Sequence, residues 1–71
     1  MNTDHLIKMV NEISAFFTGE SGPVEAPKDV ATHMRKFWEK RMREQIVAHY
    51  QSGGPGLSDV ARGAVKLLAD G

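Results

Sequence analysis

The sequence predicts an all-α protein: a small open bundle of three to four helices, with a break or kink near Glu39–Arg41. Apolar residues recur at the spacing of helix faces, and glycine and proline cluster between these stretches. No stretch alternates apolar and polar residues as a half-buried strand does. The 71 residues are enough for one domain, residues 1–71. The predicted helices span about 4–18, 28–38, 40–51 and 58–69.

Composition narrows the functional classes. The net charge is zero, which argues against a general nucleic-acid binder, and the absence of cysteine excludes disulfides and cysteine-based zinc sites. The N-terminus lacks the basic start and long apolar run of a signal peptide, and no run approaches a membrane span. We therefore expect a small, soluble, intracellular protein. Because a core of this size is marginal alone, a partner is expected to support it.

The first helix has an apolar face within an arc of roughly 120°. Thr3 is the predicted N-cap, Asp4 is favourable near the positive end of the helix, and Gly19 is the predicted end. The apolar face consists of Leu6, Met9, Val10, Ile13, Phe16 and Phe17.

Residues 19–27, GESGPVEAP, are predicted to be a connector without helix or strand, because they contain two glycines and two prolines. A second helix is expected to begin near Pro27, since proline suits the first helical turn, where its missing N–H is not needed. The length of the connector leaves the angle between the two helices open.

The second helical stretch contains a phase conflict. Val30, Met34, Phe37 and Trp38 share one face, but in a straight helix to residue 51 the apolar stripe winds around the axis. Either the helix is buried on several sides, or it breaks between Trp38 and Met42. We favour the break, because a restarted helix then carries one apolar face. That face comprises Met42, Ile46, His49 and Tyr50.

Residues 52–56, SGGPG, are the strongest turn signal, with Gly53 as helix C-cap residue and Pro55 preventing continuation. Ser58 is the predicted N-cap of the last helix, and Asp59 lies in its first turn. Gly63 inside this helix costs about 1 kcal/mol relative to alanine. The predicted apolar face consists of Leu57, Val60, Ala61, Ala64, Val65 and Leu68.

No catalytic, cofactor-binding or metal-binding set emerges from the residues. His5, His33 and His49 lie in different segments, and none has a second ligand at i+3 or i+4 of the HExxH kind. There is no cysteine nucleophile and no GxSxG, and SGGPG lacks the lysine and preceding strand of a P-loop. The sequence therefore does not predict an enzyme.

The stretch His33–Glu44, HMRKFWEKRMRE, holds the only Trp, five basic residues and two acidic ones. Aromatic and arginine side chains concentrate binding energy at interfaces, which favours a docking role. In the alternative reading, its apolar members are core and its cations form a solvated face. Arg41 is the exception: it lies on the apolar side of a continuous helix, where it needs carbonyls, a carboxylate or a partner's cover. Arg35, Lys36, Arg41 and Arg43 scatter around the helix, and Glu39 and Glu44 interrupt them, which disfavours nucleic acid.

These residues also carry a family resemblance. LIKMVNEISAFF (6–17), HMRKFWEKRMRE (33–44) and IVAHYQSGGPGLSDVARGAVKLL (46–68), in this order, resemble the delta subunit of NAD-dependent formate dehydrogenases. That family has a His–Leu/Met–Arg–x–Phe–Trp run followed by Pro–Arg–Met, and a turn followed by Gly–Leu–Ser, here 56–58. The chain departs from the family pattern at 39–40, Glu–Lys, where the family usually has Asp or Thr followed by Pro. The residues that match the first run are His33, Met34, Arg35, Phe37, Trp38, Arg41 and Met42.

The resemblance implies a non-catalytic accessory subunit of a cytoplasmic complex that oxidises formate to CO₂ with NAD⁺ and can run in reverse. It implies that this chain binds no cofactor. In such a complex the alpha subunit holds the bis-molybdopterin guanine dinucleotide and iron–sulfur clusters, while beta and gamma subunits carry FMN, further clusters and the NAD site. The delta subunit is expected to support assembly, cofactor insertion or stability of the alpha subunit.

We therefore predict that the chain docks on the alpha subunit, with Phe37 and Trp38 shared between its own core and the interface. Neither nucleic acid nor membrane is expected as a partner. A small helical nucleic-acid-binding regulator is the alternative function, and a self-associating helical module is a third. The predicted partner-binding residues are His33, Arg35, Phe37, Trp38, Arg41, Met42 and Arg43.

Overall fold

The structure, a computed structural model, describes residues 2–71 and has three helices. They are α1 (Thr3–Phe37), α2 (Lys40–Gln51) and α3 (Asp59–Asp70). No strand occurs within the described residues, so the predicted all-α class is confirmed. Helix α1 packs most extensively against α3, and α2 closes the remaining side of the bundle.

Helix α1 folds back on itself at Gly22, the one residue inside it with non-helical angles (φ 83°, ψ 163°). We call residues 3–21 the first arm and residues 23–37 the second arm. Only glycine adopts this backbone region without strain. Pro23 begins the second arm, where its fixed φ and missing N–H suit the first helical turn. The break therefore occupies a single residue.

The prediction of a connector over residues 19–27 was wrong, as was Gly19 as the helix end. Gly19 lies inside the first arm, and the helix resumes at Pro23, not near Pro27. Gly19 is tolerated because glycine inside a helix costs only about 1 kcal/mol. The proline nearer the break takes the first-turn position, so Pro27 lies one turn further along.

Pro27 packs against Gly63 of α3, which explains the glycine inside that helix. A Cβ atom at position 63 would lie 3.3 Å from the Cβ and 3.4 Å from the Cγ of Pro27. Such contacts are tighter than ordinary van der Waals packing. The missing side chain at Gly63 thus lets the second arm approach α3 closely.

The N-terminal end of α1 differs from the predicted one in detail. The N-cap is Asn2, whose Oδ1 accepts a hydrogen bond from the Asp4 N–H at 2.8 Å. Thr3, the predicted cap, is the first helical residue. Its hydroxyl oxygen accepts a hydrogen bond from the side-chain amide of Gln45 on α2 at 2.8 Å. The threonine therefore joins two helices instead of capping one.

The predicted break in the second helical stretch is confirmed, and it lies at Trp38 and Glu39. Both residues have extended backbone angles (ψ 138° and 153°), and α2 begins at Lys40. The restart buries Ile46 completely, and Met42 and Tyr50 pack against the core. The phase conflict in the sequence is resolved by this change of direction.

The core lies between the two arms of α1 and the inner faces of α2 and α3. Two residues predicted on apolar faces, Phe16 and Phe37, lie outside it, with 61% and 71% of their surfaces exposed. Each arm contacts the rest of the bundle over an arc that is narrower than its apolar stripe. Phe16 and Phe37 lie outside this contact arc and therefore stay exposed. The buried apolar residues are Leu6, Val10, Ala26, Val30, Ala31, Met34, Trp38, Ile46, Leu57, Ala61, Ala64 and Val65.

Side chains from all three helices hold the loop of residues 52–57. After α2 the N–H groups of Gly53 and Gly54 bond back to the carbonyls of Tyr50 and His49, both at 3.0 Å, in a Schellman motif. The Asn11 amide donates to the Gly56 carbonyl. The other donors to this loop are Arg62, to the carbonyls of Gly53 and Gly54, and His49, whose Nε2 lies 2.8 Å from the Pro55 carbonyl oxygen.

The start of α3 follows the prediction. The Ser58 hydroxyl accepts a hydrogen bond from the Ala61 N–H at 3.2 Å, and Asp59 lies in the first turn. The Ser58 N–H donates to Oδ1 of Asn11 at 2.9 Å. Since the same amide donates to Gly56, Asn11 bridges the loop and the helix start.

Substituting alanine at Gly19 and at Gly22 should have opposite effects on stability. Neither added Cβ meets any atom within 4 Å, so only the backbone differs. Gly19→Ala should raise the free energy of unfolding by about 0.5–1 kcal/mol, because residue 19 is helical. Gly22→Ala should lower it by about 1–3 kcal/mol, because alanine is strained at that φ and ψ. Urea unfolding followed by circular dichroism measures both, and a stabilised Gly22→Ala variant would contradict the fold-back.

Candidate docking surface

Four aromatic rings form a continuous row across the two arms of α1. The rings of Phe16 and Phe17 meet edge to face at 5.2 Å between centroids, as do those of Phe17 and His33 at 6.0 Å. The rings of His33 and Phe37 are tilted by 43° at 4.8 Å. These separations fall within the range of favourable aromatic pairs. We call these four residues the aromatic row.

The ends of the aromatic row are open to solvent, while its centre is half-buried. Phe16 and Phe37 are exposed, and Phe17 packs partly against the core. Phe17, His33 and Phe37 line a shallow depression, which Asp29, Thr32 and Lys36 complete. Large aromatic rings grouped on a surface are characteristic of interfaces, since they bury a large area at low conformational cost. The row is therefore suited to a partner with an apolar surface.

Trp38 and Met42, both predicted at an interface, belong to the core of this chain. Trp38 retains only 5% of its surface, and Met42 is partly buried against the same cluster. The alternative interpretation, in which the apolar residues of the stretch 33–44 belong to the core, therefore fits Trp38 and Met42. It also fits Met34, which is fully buried. The extended backbone at Trp38 turns its ring inward while Phe37, one residue earlier, points to solvent.

Arg43 and Arg35 hold backbone carbonyls within the chain. Nη1 of Arg43 donates to the carbonyl of Trp38 at 2.7 Å and to that of Arg35 at 3.1 Å. These carbonyls lie at the C-terminus of α1, where no further helical N–H follows to bond them. Nη2 of Arg35 donates to the Leu67 carbonyl at 3.1 Å and so joins α1 to α3. Both guanidinium groups are thereby fixed in place.

Arg41 points into solvent and forms no hydrogen bond or ion pair within residues 2–71. The sequence placed Arg41 on an apolar side only if the helix continued through residue 41. The helix instead restarts at Lys40, so that placement does not apply. Its charge is consequently available to a partner. Sequence reasoning could not decide this, since the position depends on the direction that α2 takes after the break.

A second surface, on another side of the second arm, is a groove rich in positive charge. It lies between the end of α1, the first turns of α2 and the last turn of α3. We call it the basic groove. Its lining residues are Arg35, Lys40, Arg43, Glu44, Val47, Leu68, Ala69 and Gly71.

Few charges are neutralised within the chain. Although the sequence has nine basic and nine acidic residues, Lys66–Asp70 is the one ion pair of residues 2–71, at 3.0 Å. The hydrogen bond and the charge of Asp70 raise the pKa of Lys66. Both partners are exposed on α3, so this pair adds little stability. Three of the other cations, Arg35, Arg43 and Arg62, donate to backbone carbonyls and form no ion pair within residues 2–71.

Within the described part of the chain, no three histidine or acidic side chains converge on a point that could hold a metal ion. His49 contacts the Pro55 carbonyl, His33 lies in the aromatic row, and His5 is exposed. No helix over residues 2–71 combines the length and the apolarity that crossing a bilayer requires.

The candidate surface includes two residues that sequence reasoning did not assign to it, Phe16 and Phe17. Both were placed on the buried face of the first helix. The pair of adjacent phenylalanines was a signal, because consecutive helical positions are 100° apart and rarely share one buried contact. Their proximity to His33 and Phe37, however, follows only from the fold-back at Gly22.

Alanine substitutions at Trp38 and at its neighbour Phe37 should have different effects on the free energy of unfolding, because Trp38 lies in the core and Phe37 on the surface. Trp38→Ala should lower the free energy of unfolding by about 3–5 kcal/mol, since it empties a large core position. Phe37→Ala should change it by less than about 0.5 kcal/mol, because that ring is mostly exposed. Denaturant unfolding of the isolated chain tests both, and equal losses would contradict the assignment of Phe37 to the surface.

Comparison with known proteins places the chain in a family. The family model described as NADH-dependent formate dehydrogenase delta subunit FdsD matches residues 5–65, which include both arms of α1, all of α2 and the start of α3. Neither the curated proteins nor the solved structures give a match. Since the match covers most of the chain, this protein belongs to the family of formate dehydrogenase delta subunits.

Proposed function

We propose that this chain is a non-catalytic accessory subunit of a cytoplasmic NAD-dependent formate dehydrogenase complex, docked on the molybdenum-containing alpha subunit. Family membership supplies the complex, and the aromatic row supplies a surface suited to lasting contact. The role of the contact is to support assembly, cofactor insertion or stability of the alpha subunit. The chemistry of formate oxidation belongs to the other subunits.

The observation that carries the docking proposal is the exposure of the aromatic row. Phe37 and Phe16 add little to the core, so their placement on one surface is best explained by a partner. Ring–ring contacts along the row restrict the ring orientations before binding, which reduces the entropy lost on association. His33 and Lys36 border the same depression and can hydrogen-bond to the partner at its rim.

The buried residues of the stretch 33–44 have a supporting role, because they lie in the core and not on the docking surface. Trp38 and Arg43 hold the junction between α1 and α2, which sets the direction in which Phe37 points. Trp38 supports the docking surface from inside the core, and Arg43 holds the carbonyl beside it. The direct contacts proposed for the docked face are the aromatic row and Lys36, with the exposed Arg41 as a further contact.

The cofactors of the reaction are proposed to lie in the other subunits: molybdenum with bis-molybdopterin guanine dinucleotide and iron–sulfur clusters in alpha, and FMN, further clusters and the NAD site in beta and gamma. This chain acts on them indirectly. By binding the folded alpha subunit, it shifts the equilibrium away from open conformations that lose cofactor.

Phe37→Ala should weaken association with the complex at least about tenfold, because a large exposed ring that becomes buried in an interface is an energetic anchor. The complex, purified from cells that lack this chain, would be immobilised and titrated with the chain. Val24→Ala is the matched control, since Val24 is 88% exposed on the same arm but lies outside the aromatic row. Equal affinities of the two variants would exclude the aromatic row as the docking surface.

Adding the chain to the complex that lacks it should raise the thermal midpoint of the alpha subunit in a concentration-dependent way. Binding to the folded state contributes about 2.7 kcal/mol at one hundred times the dissociation constant. Phe37→Ala should require correspondingly higher concentrations for the same shift. Molybdenum content after heating gives a second readout. Tight association without any change in midpoint or molybdenum retention would remove the stabilising role while leaving the docking intact.

A further inference from the structure

The basic groove has a cationic rim and an apolar floor. Arg35 at the end of α1 and Lys40 and Arg43 in the first turns of α2 supply three positive charges, and the Glu44 side chain brings a carboxylate to the same groove. Val47 and Leu68 line the same groove, with Ala69 and the end of the chain at Gly71 beside them. A ligand with both carboxylate and apolar groups matches this combination.

The two guanidinium groups of the groove are held in position before any ligand arrives. Arg43 uses Nη1 for the carbonyls of Trp38 and Arg35, and Arg35 uses Nη2 for the carbonyl of Leu67. Each guanidinium has five N–H donors, so donors remain for an incoming carboxylate. Because their rotamers are already fixed by these bonds, less side-chain entropy is lost on binding.

The three cations of the groove form no ion pair within the described chain. None of its three cations lies within 4.0 Å of a carboxylate oxygen in residues 2–71. The first turn of α2 contains no acidic residue, and the side chain of its N-cap, Glu39, makes no capping hydrogen bond. Cations crowded at the positive end of a helix raise the electrostatic free energy of the chain. A bound carboxylate would lower it.

The basic groove and the aromatic row face different sides of the second arm. Arg35 lies two residues from both His33 and Phe37, which places it about 200° around the helix from each. A single flat surface cannot contact both. A partner that engages the aromatic row can reach the groove only with a segment that passes around the end of the arm.

We propose that the basic groove binds an acidic, extended segment of the same partner subunit that docks on the aromatic row. Glutamate or aspartate side chains of this segment pair with Lys40, Arg35 and Arg43, and an apolar side chain rests on Val47 and Leu68. This inference rests on the proposed function for the identity of the partner. A nucleic-acid backbone fits less well, because Glu44 stands on the rim and the apolar floor offers nothing to phosphates.

The groove itself is tested with the full isolated chain and a short glutamate-rich peptide with a central leucine. Titration followed by amide chemical shifts should show changes at Lys40, Arg43, Val47 and Leu68. Lys40→Glu should weaken peptide binding by about fivefold at low salt, through loss of one attractive pair and gain of a repulsive one. The loss should shrink as salt is added, since these charges are exposed.

Lys40→Glu is a suitable variant because it should not unfold the chain: Lys40 is exposed, and an acidic residue at the start of a helix is favourable. The matched control is Lys8→Glu, which makes the same charge change at an exposed position outside the groove, in the first turns of α1. It should alter peptide affinity by less than about twofold, since it lies beyond direct contact.

The outcomes separate this inference from the proposed function. Phe37→Ala should leave peptide binding unchanged while weakening association with the complex. Lys40→Glu should weaken both. The proposal would be overturned if the peptide caused no chemical-shift changes at the groove, or if a peptide with glutamine in place of glutamate bound equally well. Equal effects of Lys8→Glu and Lys40→Glu on peptide affinity would also overturn it. So would tighter binding of a single-stranded oligonucleotide of the same charge at the same residues.

Discussion

The fold-back of α1 at Gly22 is the constraint on which the rest of the structure depends. A straight helix of 35 residues would be about 50 Å long, whereas the longest dimension of the molecule is 28 Å. The turn at one residue brings the Leu6–Val10 face of the first arm against the Val30–Met34 face of the second. Helix α3 then covers both arms, and Gly63 permits its close approach at Pro27. The aromatic row is a consequence of the same turn, since its rings come from both arms.

A core this small is reinforced by side chains that bond to backbone groups. Asn11 and Arg62 hold the loop between α2 and α3, and Arg43 holds the exposed carbonyls at the end of α1. Such bonds satisfy helix ends and loop groups that no other backbone group reaches, and each contributes about 1 kcal/mol. They occupy Arg43, which the sequence assigned to a partner. Lys40 and Arg41, at the start of α2, make no such bond.

The central stretch, residues 33–44, serves two purposes because the backbone changes direction inside it. Residues before the break alternate between core and surface at helical spacing, so Met34 is buried while His33 and Phe37 face outward. At Trp38 the extended backbone turns the largest ring inward, and α2 carries the following cations to another side of the arm. A delta subunit built this way can offer its partner an aromatic surface and a basic groove without a large interior. The core and the proposed docking surface thus use residues that are adjacent in sequence but face opposite directions.

The sequence by itself determined the helical class, the break before α2, the Ser58 cap and the family resemblance. These follow from local periodicity, turn chemistry and residue order, all of which are written along the chain. It did not determine the path of residues 19–27, because glycine and proline are compatible with both a loop and a one-residue break. Nor could it separate Phe37 from Trp38, since both are large and apolar, and burial depends on which side meets another helix. Only the tertiary structure decided which aromatic rings and arginines stabilise the chain and which remain exposed, because that choice is made by contacts between segments far apart in sequence.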